Sequence, residues 1–256
     1  MDEDISNENL FLLLNKVKET NDNDPITFFE ATSAAFFEAA SKNSADYTLL
    51  EVGLGGLLDS SNVVIPTISV INSISYDHQD FLGDDIFKIS FEKSGIIKKN
   101  IPVVIGYQPY EEERQILIDQ AQYMEAPTLI YGYDFFIDEK KDTLVYEDQD
   151  NSIKFSNIDK TLGQFQIKNL ATAIATCLQL YKVEVRDFLL SDMHHNICFP
   201  GRFEKLTKGN LYKLISNQNE LYLDGSHNPD GSKNINESLK RLPKKKLCLI
   251  IGMINT

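Results

Sequence analysis

The chain has 256 residues, of which 42% are hydrophobic and 25% charged, a composition typical of a globular protein with a sizeable core. Its formal net charge of −13 argues against nucleic-acid binding, which requires clustered Lys and Arg side chains. No stretch approaches the roughly 20 apolar residues of a membrane span, and the acidic N-terminus is unlike a signal peptide. We therefore expect a cytoplasmic protein with neither a membrane nor a nucleic acid as partner.

The N-terminal part of the chain predicts two helices and then a strand. Ser6 precedes an apolar run and can cap a first helix, which residues 21–25 interrupt. A second helix is predicted from Thr27 to about Lys42, and its many aromatic and small residues indicate burial on a broad face. Residues 47–52 are β-prone and lead into the glycine-rich run at residues 53–56.

The middle of the chain predicts a mostly parallel sheet and therefore an α/β fold. Apolar runs at residues 67–74, 102–106 and 127–132 are separated by helical segments, one of them a charged helix over residues 111–123. This alternation is typical of parallel strands that are covered on both faces. Residues 133–160 alternate loosely between apolar and charged side chains, which predicts an antiparallel edge.

The C-terminal part predicts a second, smaller α/β domain. A helix rich in small residues is expected from Lys168 to about Tyr181. Residues 221–225 then open a fresh strand–loop–helix unit, and residues 246–252 predict a further strand. We therefore assign residues 1–207 to a first domain and residues 208–256 to the beginning of a second.

Polar residues follow three of the predicted strands. Glu51 ends the first, Asp77 and His78 follow the second, and Asp224 and His227 follow the strand that opens the second domain. Ligands collect at the carboxyl ends of parallel strands, where a carboxylate and an imidazole could hold Mg²⁺. The residues alone favour a plainer interpretation, in which Glu51 caps a turn and His78 is structural.

Two further features have weak meaning by themselves. The glycines at residues 53–56 lack the lysine and the spacing of a phosphate-binding loop, and no other segment matches that motif. Lys93 lies at a predicted helix end. A lysine near a metal ion can react with CO₂ to give a carbamate, an anionic oxygen ligand, but for a lone lysine a solvated surface position is the plainer interpretation.

Taken together, the segments resemble the folylpolyglutamate/dihydrofolate synthases, a branch of the Mur ligases. The matching blocks follow the family order and extend over essentially the whole chain: residues 28–32, 50–62, 77–78, 92–98, 201–204 and 223–229. The Glu-Val-Gly-Leu-Gly-Gly and Asp-Gly-Ser-His-Asn-Pro blocks are individually specific. The first of these, with Glu-Lys-Ser-Gly-Ile, favours the folate branch over other Mur ligases.

The resemblance implies an ATPase domain of the phosphate-loop type, here without its first strand, followed by a smaller Rossmann-like domain. It implies an enzyme that phosphorylates a carboxylate of a folate or dihydropteroate with ATP. The amino group of L-glutamate then attacks the acyl phosphate and an amide forms. Mg²⁺ would clamp the phosphates, and the intact family members are expected to be monomers.

The resemblance also implies roles for individual residues. Glu51 and His78 match Mg²⁺ ligands, and Lys93 matches a carbamylated lysine that helps to hold a second Mg²⁺. His78 and Lys93 are thus the expected catalytic residues. Contacts to ATP are expected from four residues: Asn169, Arg202 near the phosphates, Asp224 through the ribose, and His227 close by.

Departures from the family pattern leave the activity open. The family's Gly-Thr-Asn-Gly-Lys-Gly-Ser loop is not found, because the chain begins after the corresponding point, and we expect the small domain to be truncated. Leu57 and Phe165 replace the usual Arg and His. We therefore expect no turnover from this chain. An enzyme portion, a non-catalytic remnant, and a module that binds Mg²⁺ or nucleotide all remain open.

Overall fold

The computed structural model describes residues 4–76, 83, 85–140, 143–156, 163–180, 200–215 and 219–252. The chain divides into two compact units, Met1–Ile65 and Pro66–Thr256. The domain boundary between residues 207 and 208 stays a prediction. None of the described helices is long and apolar enough to cross a membrane.

The first unit contains two helices, and the first of them begins at the predicted cap. Helix α1 (Asn7–Asn21) starts after Ser6, whose Oγ accepts a hydrogen bond from the Asn9 N–H at 3.2 Å. Helix α2 (Phe28–Lys42) starts after Thr27, which forms a reciprocal capping box with Glu30. These bonds satisfy N–H groups that the first helical turn cannot pair internally. A short 3₁₀ helix (Ser60–Val63) ends the unit.

Two expectations for the first unit are wrong. Helix α2 is not buried on a broad face, since Ala35 is its one buried residue and Phe28 is 83% exposed. Residues 47–52 form no strand, and Leu49 is 95% exposed. A strand forms only when a neighbour pairs its backbone, and no described strand pairs with residues 47–52.

The second unit begins with the predicted parallel sheet. Strands β1 (Ser69–Ile71), β2 (Val103–Ile105) and β3 (Thr128–Ile130) lie in that order, with Val70 opposite Val104 and Val104 opposite Leu129. Helices α3 (Ile86–Ser94) and α4 (Glu111–Tyr123) follow β1 and β2 in the chain. The core on this side contains buried residues of the strands and helices: Ile71, Ile74, Ile89, Ile97, Val103, Ile105, Leu117 and Ala121. The α/β prediction is confirmed, and α4 occupies the predicted residues 111–123.

An antiparallel sheet follows, as the loose alternation predicts. Strands β4 (Phe135–Lys140), β5 (Thr143–Asp148) and β6 (Ser152–Ser156) pair in chain order. Alternate side chains of the three strands point to one face, and helix α5 (Gln164–Leu180) packs there. The buried members of this second core are Phe135, Ile137, Leu144, Tyr146, Ile153, Phe155, Ile167, Leu170 and Ile174.

The C-terminal elements form a strand pair and a helix. Strands β7 (Glu204–Leu206) and β8 (Leu221–Leu223) are antiparallel, and helix α6 (Pro229–Arg241) follows β8 as predicted. Arg241 makes a bidentate contact with the carboxylate of Glu139 on β4, which fixes the end of α6 against the antiparallel sheet. The strand predicted at residues 246–252 is wrong: no described strand pairs with it, and Ile250 is 91% exposed.

Candidate functional site

The glycine-rich loop after Glu51 is organised by Asp59. Its Oδ2 accepts hydrogen bonds from the N–H groups of Gly53 and Leu54 at 3.1 and 2.9 Å. Its Oδ1 accepts from the Ser61 N–H at 2.8 Å and the Ser61 hydroxyl at 2.5 Å. Burial raises the pKa of Asp59, but these bonds to the charged form outweigh burial and hold the pKa below its ordinary value.

Glycine is required at residue 53 by packing. A Cβ there would overlap the ring of Phe29, which lies against the backbone of the loop. Gly55 has φ of 68°, a left-handed conformation that favours glycine. The loop thus folds back on Asp59 and α2, and it leaves the predicted metal ligand Glu51 exposed. Sequence analysis missed Asp59, although an Asp directly before Ser-Ser is a common helix cap.

The predicted Mg²⁺ site is not formed by the described residues alone. His78, like Asp77, lies outside the described residues, so its approach to Glu51 stays a prediction. Lys93 lies in the last turn of α3, in the second unit, whereas Glu51 belongs to the first. Within the described ranges no three His, Cys, Asp or Glu side chains lie close enough to hold a metal ion.

The segment that leads from β1 towards residue 77 is tied to the end of β2 by Gln108. This side chain is 6% exposed, and its Oε1 accepts from the Ile74 N–H at 3.0 Å. Its Nε2 donates to the carbonyls of Asn72 at 3.0 Å and Gly106 at 3.2 Å. A single buried amide therefore fixes the backbone at the carboxyl ends of two neighbouring parallel strands, where ligands bind in such sheets. No sequence motif marked this residue.

Helix α5 reaches the same edge of the sheet. The ammonium group of Lys168 lies 3.3 Å from the ring centroid of Tyr107, directly after β2, in a cation–π contact. Thr172 lies so close to Gly106 that a Cβ there would be 2.8 Å from its Oγ1. The first turns of α5, which carry the predicted ATP contact Asn169, are therefore fixed to the strand ends.

Arg202 lies in a loop whose backbone is hydrogen-bonded on several sides. The Gly201 N–H donates to Glu204 Oε2 at 2.8 Å, and the Gly201 carbonyl accepts from the Gly225 N–H at 2.8 Å. Asp224 Oδ2 accepts from the Phe203 N–H at 2.7 Å. These bonds bring the Gly-Arg-Phe-Glu block against the Asp-Gly-Ser-His block, two segments that the sequence separates.

A third segment joins this contact through Gln166, on the first turn of α5. Gln166 Nε2 donates to the Arg202 carbonyl at 3.3 Å, and its Oε1 accepts from the Gly163 N–H at 2.8 Å. Asn169 lies one turn further along the same helix and is half-buried. We call the meeting point of Gln166, Asn169, residues 201–204 and residues 224–227 the three-segment junction.

The junction contains all four predicted ATP contacts. Arg202 has an exposed side chain, and Asp224 is half-buried, with Oδ1 accepting from the Ser226 N–H at 2.8 Å. The exposed His227 has its Nδ1 3.1 Å from the Gly225 carbonyl. Each Asp224 oxygen uses one acceptor position on the backbone, which leaves others for a hydroxyl group. Of these groups, a guanidinium suits phosphate oxygens and a carboxylate suits hydroxyl groups.

Comparisons with known proteins show the family to which the chain belongs. A family model described as the Mur ligase middle domain matches residues 8–177. The dihydrofolate synthase/folylpolyglutamate synthase of Haemophilus influenzae is 29% identical over 246 residues, covering 92% of this chain and 54% of that protein. The Bacillus subtilis protein of the same name is 32% identical over 260 residues, covering 93% and 56%. The chain spans about half the length of the curated relatives it matches.

Solved structures show the same likeness. Escherichia coli FolC in complex with ADP superposes with a TM-score of 0.80 at 25% identity, covering 95% of this chain and 55% of that chain. A complex described as FPGS-AMPPCP-folate superposes with a TM-score of 0.70 at 28% identity, covering 91% and 56%. The fold of the described residues is therefore shared with these proteins.

Proposed function

The chain belongs to the Mur ligase family, and we propose that it serves an ATP-dependent ligase that adds L-glutamate to a folate or dihydropteroate through an acyl phosphate. The three-segment junction carries the proposal, because hydrogen bonds there join the segments that contain the four residues expected to contact ATP. The relatives support the substrate class, since their names are dihydrofolate synthase and folylpolyglutamate synthase. Structures of similar proteins contain ADP, or AMPPCP with folate.

Within the junction each residue has a proposed role. The guanidinium of Arg202 neutralises phosphate charge, a task that its forked donors suit. Asp224 accepts from a ribose hydroxyl with the lone pairs that its two backbone bonds leave unused. Asn169 and His227 supply further polar contacts to the nucleotide.

The metal side of the proposal rests on the family resemblance. Glu51 and His78 would hold one Mg²⁺, and carbamylated Lys93 would help to hold a second. Bound Mg²⁺ would neutralise phosphate charge during transfer. The described residues add one observation to this part: Glu51 is exposed directly before the Asp59-centred loop.

Ligation by these 256 residues alone depends on a phosphate-binding loop. This sequence contains no glycine-rich loop with the lysine and hydroxyl that cradle phosphates. Loss of a single preorganised donor costs about 10²–10³ in rate, and loss of a whole phosphate site would cost far more. We propose that this chain, as a monomer in the cytoplasm, binds nucleotide without completing ligation. A nucleotide-binding module is thus the second candidate function.

Titration with fluorescent mant-ADP tests the proposal. We expect saturable binding, weakened about tenfold by Arg202→Met because a charge-assisted contact to phosphate is lost. Lys208→Met is the matched control, since Lys208 is exposed in the same loop region and its loss removes the same charge. Failure of the wild-type chain to bind mant-ADP, or an equal effect of both variants, would contradict the proposal.

A second assay separates binding from ligation. The wild-type chain is incubated with ATP, Mg²⁺, L-glutamate and either tetrahydrofolate or dihydropteroate, and ADP release is followed. We expect no release above background. Turnover with either pterin would refute the non-ligating module and establish the ligase activity directly.

A further inference from the structure

The peptide group between Arg202 and Phe203 is held at both ends. Its carbonyl accepts from Gln166 Nε2 at 3.3 Å, and its N–H donates to Asp224 Oδ2 at 2.7 Å. A peptide group is planar, so hydrogen bonds at its oxygen and at its N–H together restrict the rotation of the whole plane. The two side chains therefore determine how the backbone leaves Arg202.

This arrangement maintains an unfavourable backbone conformation. Phe203 has φ of 52°, a left-handed value that is strained for a bulky residue and persists only where surrounding contacts enforce it. Its ring is buried and stacks on Tyr222 with centroids 4.9 Å apart. Ring burial anchors the side chain, and the clamp on the peptide group holds the backbone.

The orientation of the Gln166 amide is itself determined. The side chain is 7% exposed, and its Oε1 accepts from the Gly163 N–H at 2.8 Å. Only the amide nitrogen can donate, so the oxygen must face Gly163 and the nitrogen must face Arg202. Gly163 has little freedom to move away, because a Cβ there would lie 2.9 Å from Ser238 Oγ on α6. The amide therefore links the start of α5 to the Arg202 loop with its oxygen towards Gly163 and its nitrogen towards Arg202.

We propose that Gln166 is a positioning residue for Arg202. By holding the Arg202 carbonyl it restricts the direction in which the guanidinium leaves the backbone. The effect on ligand binding rests on the proposed function, in which Arg202 contacts nucleotide phosphates. The clamp on the peptide group does not rest on it.

Limited proteolysis tests the clamp without any ligand. Trypsin must bind the carbonyl of the residue it cleaves after, so cleavage after Arg202 requires the Gln166 bond to open. Gln166→Met keeps the side-chain size and removes both bonds. We expect the peptide that starts at Phe203 to appear about tenfold faster, as the open form becomes more populated. The control is Gln164→Met on the same turn of α5. This change removes a side-chain hydrogen bond from Gln164 to Glu139 on β4.

A thermal unfolding curve accompanies each variant. Cleavage after Arg202 is compared with cleavage after the exposed Lys88 on α3, which reports general loosening of the same unit. Faster cleavage at Arg202 alone, in Gln166→Met and not in Gln164→Met, supports the clamp. Unchanged cleavage at Arg202, or an equal increase at every site, overturns it.

A double-mutant cycle then tests whether the clamp acts through the guanidinium. Affinity for mant-ADP is measured for the wild type, Gln166→Met, Arg202→Met and the double variant. We expect Gln166→Met to weaken binding about fivefold in the wild-type background and to have no effect once Arg202 is methionine. An equal loss in both backgrounds overturns the positioning role. If the wild type binds no mant-ADP, the proposed function fails, and the proteolysis result alone decides the clamp.

Discussion

The backbone N–H of Phe203 donates to the carboxylate of Asp224 at 2.7 Å, across 21 positions of sequence that include the predicted domain boundary. This bond joins the Gly-Arg-Phe-Glu block to the Asp-Gly-Ser-His block. It also gives Asp224 a structural task in addition to any contact with nucleotide, because its second oxygen accepts from the Ser226 N–H. Mutation of a side chain with both tasks changes the stability of the protein as well as its affinity for the ligand.

We expect Asp224→Ala to destabilise the second unit by about 2–3 kcal/mol, since two part-buried N–H groups lose a charged acceptor. Urea unfolding followed by circular dichroism measures the change. Asp138→Ala, at an exposed position of β4, is the control and should stay within about 0.5 kcal/mol of the wild type. Equal stability of the two variants would show that the Asp224 bonds contribute nothing.

Asp59 should make the first unit sensitive to acid. Its folded pKa lies below its ordinary value, so its stabilising effect is complete above the ordinary pKa and disappears as the pH falls through the folded value. We therefore expect Asp59→Asn to lower the unfolding temperature at pH 7, with the difference from wild type shrinking below about pH 4. A difference that is constant from pH 7 to pH 3 would contradict this assignment.

Glu113 should produce the opposite pH dependence. Burial raises its pKa to about 7, the Tyr110 N–H lowers it in part, and the nearby carboxylates of Asp230 and Glu112 raise it further. A raised carboxyl pKa leaves stability intact at low pH and reduces it as the pH rises from the ordinary value to about 7.

Removal of this charge should therefore stabilise the chain only at higher pH. We expect Glu113→Gln to raise the free energy of unfolding by about 1–3 kcal/mol at pH 8 and to change it little at pH 4.5. Urea unfolding at the two pH values measures the effect. The exposed Glu237, changed to Gln, provides the control on α6. A gain that is equal at both pH values would show that ionisation of Glu113 is not its cause.

Gln108 should be hard to replace. Gln108→Met leaves the Ile74 N–H and the Asn72 carbonyl without their partner in a buried position, and we expect a loss of about 2–3 kcal/mol. The exposed Gln115 on α4, changed to Met, should have little effect on unfolding by urea. If Gln108→Met were as stable as this control, the strand ends would have to be held by other contacts.

Local signals predicted the elements that local physics determines. Ser6 caps the first helix as expected, and α4 occupies residues 111–123, because capping and helical periodicity depend on neighbours within a few positions. The strands at residues 47–52 and 246–252 were predicted wrongly. Apolar, β-prone composition is necessary for a strand, but pairing depends on a distant partner that composition does not reveal.

The candidate site likewise contains residues that the sequence indicated and residues that it did not. The family resemblance predicted roles for Asn169, Arg202, Asp224 and His227, and the segments that carry these residues are joined by hydrogen bonds. Nothing in the sequence indicated the supporting contacts of Gln166, Gln108 or Asp59, because each joins a side chain to a backbone group in another segment. Polar side chains of this kind are common in any sequence, and only their burial distinguishes the few that organise the backbone.

The contact between Arg241 and Glu139 spans 102 positions, which affects the order of events during biosynthesis. Translation delivers the antiparallel sheet first, and its partner helix α6 emerges only much later. Helix α5 can already pack on this sheet, but Glu139 lacks its ion-pair partner until Arg241 emerges. A chain released by a ribosome that stalls before codon 241 would lack Arg241 and could not form this ion pair with Glu139.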